Sequence, residues 1–263
     1  MLKFILIRHG TSLGNQELRM MGQLDDELAT TGIAESQRLA EQLVREGDRP
    51  TLVYCSPQRR AVQTAQILLT AFANENLRET IGISKQSTFQ RSNAELGIVQ
   101  SISPIRLCDH LKELSGGIFE GLTWSQAKTQ YPDLCLQLEQ NLDLIPIPGS
   151  ELPDAGFHRA CQFWEGLFRQ FDPESEEFDP DSSSVVWIVS HSGILQHLIA
   201  ALLRCDRTWG MSIANTARFE FWLDGDRWAR DASRNQHNHN TALWQIRRFN
   251  DISHLKPTEL DQI

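Results

Sequence analysis

Cysteine is scarce in this chain. Its five cysteines (Cys55, Cys108, Cys135, Cys161, Cys205) are odd in number, widely scattered and never paired as C-x-x-C. That spacing offers neither a zinc knuckle nor a disulfide framework, and the five read as small buried residues of a reduced, cytoplasmic protein. No apolar run approaches the roughly 18 residues that a transmembrane helix needs. The opening residues lack the basic, then apolar, then small pattern of a signal peptide. Positive charge is also short: 25 Lys and Arg stand against 34 Asp and Glu, a net charge of −9. This excess of acid argues against a nucleic-acid partner or an anionic membrane surface. A few arginines converging on one point would leave no trace in such a total. There is no P-loop and no obvious aspartate pair, so neither a Mg²⁺ site nor a cofactor is implied.

What is present begins with Phe4 to Ile7, a continuous apolar run too short for a buried helix and best read as a central strand covered on both faces. It stops abruptly at Arg8-His9-Gly10. In open α/β sheets, ligands gather beyond the carboxyl ends of the strands. A polar, glycine-punctuated loop follows to Asp25, and Thr31-Gly32 opens a helix. Ile33, Leu39, Ala40, Leu43 and Val44 form its apolar stripe, with Glu35, Arg38, Glu41 and Arg45 opposite and Gly47 and Pro50 at its end. Leu52 to Cys55 is a second buried strand. Ser56 then serves as N-cap and Pro57 as the first position of a helix running from Gln58 to about Phe72. Arg59 and Arg60 lie in its first turn, where cations oppose the helix dipole, so an anion above the sheet would give one of them a reason to be there.

Residues 75–106 are weakly patterned and read as an insertion. Leu111 to Gly121 carries Glu113 and Glu120 among three glycines. Trp124 to about Gln140 is helical but broken at Tyr131-Pro132, and Phe157, Cys161, Trp164, Leu167 and Phe168 stripe another helix. Residues 172–184 hold six acids and no base, a solvated loop. Val185 to Val189 is a third buried strand running into Ser190-His191-Ser192-Gly193 and a helix. Phe219 to Leu223 and Leu243 to Phe249 read as a closing hairpin whose loop carries His237 and His239. These two lack a third metal partner nearby and read as solvated.

If the three buried strands run parallel, Arg8, His9, Arg60 and His191 converge. Guanidinium forks match phosphate oxygens, and an unprotonated imidazole is a nucleophile. The implied chemistry is metal-free phosphoryl transfer through a covalent histidine intermediate, with the arginines and second histidine stabilising the equatorial oxygens. The leaving alkoxide needs a proton. Glu113 is the first candidate donor, and Glu120 and Glu151 are alternatives.

In this arrangement the sequence resembles the histidine phosphatase superfamily, the branch that includes cofactor-dependent phosphoglycerate mutase. Leu6-Ile-Arg8-His9-Gly10-Thr11 resembles the family's signature, followed at its spacing by Asn15, Gly22, Asp25, Leu28, Thr30 or Thr31, and Gly32. Ser56 to Ala65 resembles the second motif, whose phosphate-binding arginine aligns with Arg60, not Arg59. Leu111-Lys-Glu113 with Gly117, Glu120 and Gly121 resembles the acid-bearing motif. Pro148-Gly149-Ser150-Glu151 is similar to the family's Pro-Gly-Gly-Glu-Ser, and Val189 to Gly193 to its final His-Gly motif, with Ser192 in place of glycine. Trp244 to Phe249, Asn250-Asp251 and His254-Leu255 are similar to the tail of many bacterial members.

The resemblance spans nearly the whole chain. It implies a three-layer α/β/α sandwich with a mostly parallel central sheet, one domain over 1–263 with insertions near 75–106 and 122–150. It implies His9 as the phosphorylated residue, Arg8, Arg60 and His191 as the phosphate clamp, and Glu113 as proton donor. Asn15 and the backbone near Gly22 and Ser192 would line the substrate side. Glycolytic mutases carry Lys and paired arginines after the acid motif. Here residues 121–149 contain one lysine, Lys128, and no arginine. That favours a phosphatase of a small phosphorylated metabolite over a mutase. The few further cations (Arg19, Lys112, Lys128, and Arg91 if the insertion folds over) suit a modestly charged substrate, and Phe119 and Trp124 could form an apolar wall. A phosphate-binding role without turnover is the contrasting class, disfavoured because every catalytic side chain is present.

Overall fold

The structure is a computed structural model that describes residues 1–81, 104–142, 145–171, 184–205, 207–208, 210–224 and 240–255. It is built on a six-stranded sheet. Strand β1 (Leu2–Arg8) leads to the short helix α1 (Leu13–Gln16), then α2 (Thr30–Glu46), β2 (Leu52–Cys55), α3 (Arg59–Ile81) and β3 (Ile105–Leu107). Helices α4 (Trp124–Gln130), α5 (Pro132–Gln140) and α6 (Pro153–Arg169) precede β4 (Val185–Ser190), α7 (Ser192–Leu202) and the strands β5 (Arg218–Leu223) and β6 (Trp244–Asp251). The spatial order is β3-β2-β4-β1-β5-β6. The first four strands in that order are mutually parallel, β5 adds antiparallel to the other edge of β1, and β6 adds antiparallel to β5.

Side-chain alternation explains the continuous apolar run in β1. Phe4 and Leu6 face α6 and α7, joining Phe163, Trp164, Leu167, Ile194 and Leu198. Ile5 and Ile7 face α2 and α3, joining Leu39, Leu43, Ala61, Ala65 and Trp187. Each of these four β1 side chains is fully buried, worth roughly 1.5–3 kcal/mol apiece. The result is the expected three-layer sandwich. Its parallel core places the ends of β1, β2 and β4 on one side, because Arg8 pairs with Ser190 and Cys55 with Val189. A third, smaller core under α4 and α5 gathers Phe119, Ala127 and Cys135.

Several local expectations need correction. Ile33 is exposed rather than on the inner stripe of α2, which is carried at its start by Gly32 and Ser36. Small residues are needed there because the chain after β1 crosses that end of the helix. A Cβ on Gly32 would lie 2.0 Å from the Thr11 carbonyl oxygen. Helix α3 begins at Arg59, so Ser56 is not its N-cap and Pro57 is not its first residue. Gln58 occupies the cap position, its carbonyl accepting from Ala61 and Val62 at 3.0 and 3.1 Å. The helix also runs past Phe72 to Ile81, into the stretch read as insertion. Strand β3 ends that stretch as an edge strand of three half-exposed or exposed residues, too short for periodicity to reveal. One turn of helix, α1, lies in what read as loop, closed by a capping box between Ser12 and Asn15. Of the insertion, residues 82–103 lie outside the described residues, as do Arg91, His237, His239 and most of the acidic stretch.

Candidate active site

His9 follows the last residue of β1 and is 3 % exposed. Its Nδ1 lies 2.7 Å from the Gly10 carbonyl oxygen, which can only accept, so Nδ1 carries the proton. The lone pair is left on Nε2, where Arg60 Nε donates at 3.2 Å. Burial, then the nearby Arg60 and Arg8 guanidinium groups, hold His9 well below its ordinary pKa of 6.5. The imidazole is therefore neutral at pH 7 and points a lone pair at a cationic surface. Its backbone is fixed from three sides. Thr64 Oγ1 accepts from the Gly10 amide at 3.1 Å, Asn215 Nδ2 donates to the His9 carbonyl at 3.1 Å, and the Thr216 amide donates to it at 3.2 Å.

Arg60, 2 % exposed, donates from Nη1 to Leu24 O (2.8 Å) and Asp26 Oδ1 (2.9 Å) and from Nη2 to Gly22 O (3.0 Å). Arg59, one position earlier, points outward and pairs with Glu27 at the surface. Only Arg60 of the two reaches the site. Arg8 donates through Nη1 to the Ile213 carbonyl, and its Nε has no partner among the described residues. Burial lowers the Arg8 pKa to about 10, against the upward pull of Glu113 and Glu35, so it stays charged at neutral pH. A buried guanidinium with an open donor invites an anion.

The His191 ring lies 4.9 Å from that of His9, centroid to centroid. It is fully buried, and burial, followed by His9, Arg60 and Arg8, holds it well below 6.5. Its Nε2 meets Ser56 Oγ at 2.7 Å, while Nδ1 has no partner among the described residues. In the tautomer where the Ser56 hydroxyl donates to Nε2, Nδ1 is a free N–H donor. Glu113 sits over the start of α7. Its Oε1 accepts from Leu114 (2.8 Å) and Ile194 (3.0 Å), and Oε2 from Gly193 (3.0 Å). Oε2 takes the fewer bonds and retains room for a proton. The close approach that needs glycine falls at Gly193, where a Cβ would lie 2.5 Å from Glu113 Oε1. Ser192, the first residue of α7, precedes it.

The alternative acids are committed elsewhere. Glu120 ties Gln23, Ser115 and Gly116 together, and Glu151 is bidentate with Arg159 at 2.9 and 2.8 Å. Asn15 is linked to the His9 backbone through Asn215: its Oδ1 accepts from Ser12 N and Asn215 Nδ2, both at 3.2 Å. Gly22 contributes its carbonyl to Arg60 from a positive φ of 49°. Phe119 is too deeply buried to wall a substrate, packing edge-on against Trp124. The outlying cations are paired: Arg19 with Glu17, Lys112 with Asp109 and Lys128 with Glu139. Among the described residues, no group of three or more His, Cys, Asp or Glu side chains is placed to hold a metal ion. No helix among them is long and apolar enough to cross a membrane.

Four participants were not singled out from sequence: Ser56 as the partner of His191, Gln58, Asn215 and Asp26. Each is a common polar residue in a turn, and only the fold reveals what it touches. Together the site offers one imidazole lone pair, one imidazole N–H, two buried guanidinium groups and a carboxyl, an arrangement suited to moving a phosphoryl group.

The family model described as "Histidine phosphatase superfamily (branch 1)" matches residues 4–96 and 71–236. Phosphoglycerate mutase-like protein 4 of Arabidopsis thaliana is 24 % identical over 97 % of the chain and 88 % of its own length. Putative phosphoserine phosphatase 2 of Hydrogenobacter thermophilus is 21 % identical over 86 % and 92 %. Among solved structures, phosphoserine phosphatase from Entamoeba histolytica in complex with 3-phosphoglyceric acid superposes with a TM-score of 0.63 at 20 % identity, covering 97 % of this chain and all of that one.

Proposed function

Because the chain belongs to the histidine phosphatase superfamily, branch 1, we propose that it is a metal-independent phosphomonoesterase that hydrolyses a small phosphorylated metabolite through a phosphohistidine on His9. The observation that carries this reading is the neutral His9 ring, its Nδ1 proton tied to Gly10 O and its Nε2 lone pair beside Arg60. In the first step Nε2 attacks phosphorus, the P–O ester bond breaks, and the leaving oxygen takes the Glu113 proton. In the second, water attacks phosphorus, the N–P bond breaks, Glu113 takes a proton from the water, and inorganic phosphate leaves. Arg8, Arg60 and the His191 Nδ1–H stabilise the equatorial oxygens throughout. Asn15 and the backbone near Gly22 and Ser192 face the remainder of the substrate.

Hydrolysis rather than mutase chemistry is supported by the stretch after the acid loop. Its one lysine, Lys128, is paired with Glu139 on the surface. No cation of that stretch is available to hold a second acidic group of a sugar acid. The names of the phosphoserine phosphatase relatives put phosphoserine, whose own ammonium offsets its carboxylate, first in a substrate panel.

The test is hydrolysis of an aryl phosphate in EDTA by wild type and His9→Ala. Turnover that survives EDTA and disappears with the substitution is expected. Equal activity in both proteins refutes the phosphohistidine. Phosphate binding with no turnover by wild type on any panel member favours the non-catalytic class.

A further inference from the structure

Gln58 is 5 % exposed in the turn between β2 and α3. A buried primary amide has two donors and an acceptor to satisfy, and here each end has a defined partner. Its Oε1 accepts from the backbone amide of Glu113 at 2.8 Å. Its Nε2 donates to Gly22 O at 3.1 Å and, at the limit of bonding, to Leu24 O at 3.5 Å. The orientation is unambiguous, because a backbone N–H can only donate and a carbonyl can only accept.

The carbonyls of Gly22 and Leu24 are the same two that receive the Arg60 guanidinium, at 3.0 and 2.8 Å. Gln58 and Arg60 thus grip one pair of oxygens from two positions apart on the same turn. The other end of the Gln58 amide holds the backbone of the acid. The path from the cation to the acid is Arg60, Gly22 O, Gln58, Glu113 N, with no solvent-exposed link. A second tie runs from Gln23 Nε2 to Glu113 O at 3.1 Å, but Gln23 is exposed. Gln58 also donates its own amide to Ser56 Oγ at 3.3 Å, and that hydroxyl holds His191. One buried residue, through its side chain and its backbone N–H, therefore touches the supports of the acid, of Arg60 and of His191.

We infer that Gln58 is a positioning residue that sets the Glu113 carboxyl against the Arg60 clamp, and so governs how well the enzyme expels a leaving group that needs a proton. This rests on the role proposed above for Glu113. An alkyl alkoxide cannot leave at neutral pH without a proton, whereas an aryl leaving group departs as a stable phenolate. A misplaced acid should penalise alkyl phosphates selectively. A general loosening of the site should penalise both classes alike.

The experiment compares kcat/KM for 4-nitrophenyl phosphate with that for the best alkyl phosphate of the panel. It uses wild type, Gln58→Leu, Gln58→Glu and Glu113→Gln, with circular dichroism confirming that each is folded. Gln58→Leu removes both ends of the tie at similar volume. Gln58→Glu keeps the acceptor for Glu113 N but sets a second acceptor against Gly22 O. For both Gln58 variants the alkyl-to-aryl ratio is expected to fall by about tenfold or more, in the same sense as for Glu113→Gln. Equal losses on both substrates, or no loss on either, overturn the inference while leaving Glu113 as the acid if its own variant is selective. A Glu113→Gln variant with an unchanged ratio refutes the acid assignment itself, and the inference falls with it.

Discussion

Acid should unfold this protein through its two site histidines, and the size of the effect follows from their burial. His9 and His191 are each held well below 6.5 in the folded state. An unfolded histidine binds a proton below 6.5 and the folded one does not. Unfolding therefore takes up protons as pH falls. The contribution to stability is full above 6.5 and is lost as pH drops from 6.5 toward the folded-state values. Each such histidine contributes a slope that approaches about 1.4 kcal/mol per pH unit well below 6.5, so the pair gives up to about 2.7 kcal/mol per unit. That is a large share of the roughly 5–15 kcal/mol that holds a typical domain together. Urea unfolding midpoints, multiplied by the m-value, should be followed from about pH 7 to about pH 5.5. His9→Gln and His191→Gln should each reduce the stability lost across that window by about 1.3 kcal/mol relative to wild type. Carboxylate titrations common to all three proteins cancel in that difference. Superimposable slopes for wild type and both variants would refute the buried, neutral assignment.

Three further substitutions probe the scaffold. Ser56→Ala leaves both nitrogens of buried His191 without a protein partner among the described residues and should cost about 1–3 kcal/mol, read by urea denaturation. Arg218 is fully buried and bridges Glu46 and Asp251, holding the Glu46 carboxyl down to about 2 mainly through their hydrogen bonds. Arg218→Met removes the buried partner of both carboxylates and leaves them only Arg248 as a cation, which should destabilise by about 1.5–3 kcal/mol, with an unchanged melting temperature counting against the network. Gly32→Ala forces its Cβ into the Thr11 backbone, which should cost about 1–3 kcal/mol and lower kcat by displacing the chain just after His9, read from melting and turnover together.

The layers and the convergence of Arg8, His9, Arg60 and His191 were legible in the sequence because buried parallel strands leave continuous apolar runs. Such runs end where ligands gather. Edge strand β3 was not, because three half-exposed or exposed residues carry no period. The exposure of Ile33 escaped for a different reason. The inner stripe of α2 begins with Gly32 and Ser36, chosen for smallness under a crossing chain, and hydrophobicity does not register smallness. The same limit hid Gln58 and Asn215. A polar residue in a turn looks solvated until the fold reveals that it is buried, and motif spacing fixes which residues converge without fixing what holds them.

The position of β1 has a consequence for how the site comes into being. Both of its hydrogen-bonded neighbours, β4 and β5, come from the last third of the chain, with Phe4 paired to Val186 on one side and Phe221 on the other. A ribosome therefore delivers His9 well before the strands that flank β1, and the residue waits until they are made before the strand behind it can pair. Closing such distant contacts is entropically slow, and until then the apolar segment before Arg8 is exposed to wrong partners. The cluster of Arg8, His9, Arg60 and His191 cannot assemble on a partial chain that stops before β4, because His191 is made only with that strand. Completion of the fold and of this side-chain cluster should thus arrive together, as one event.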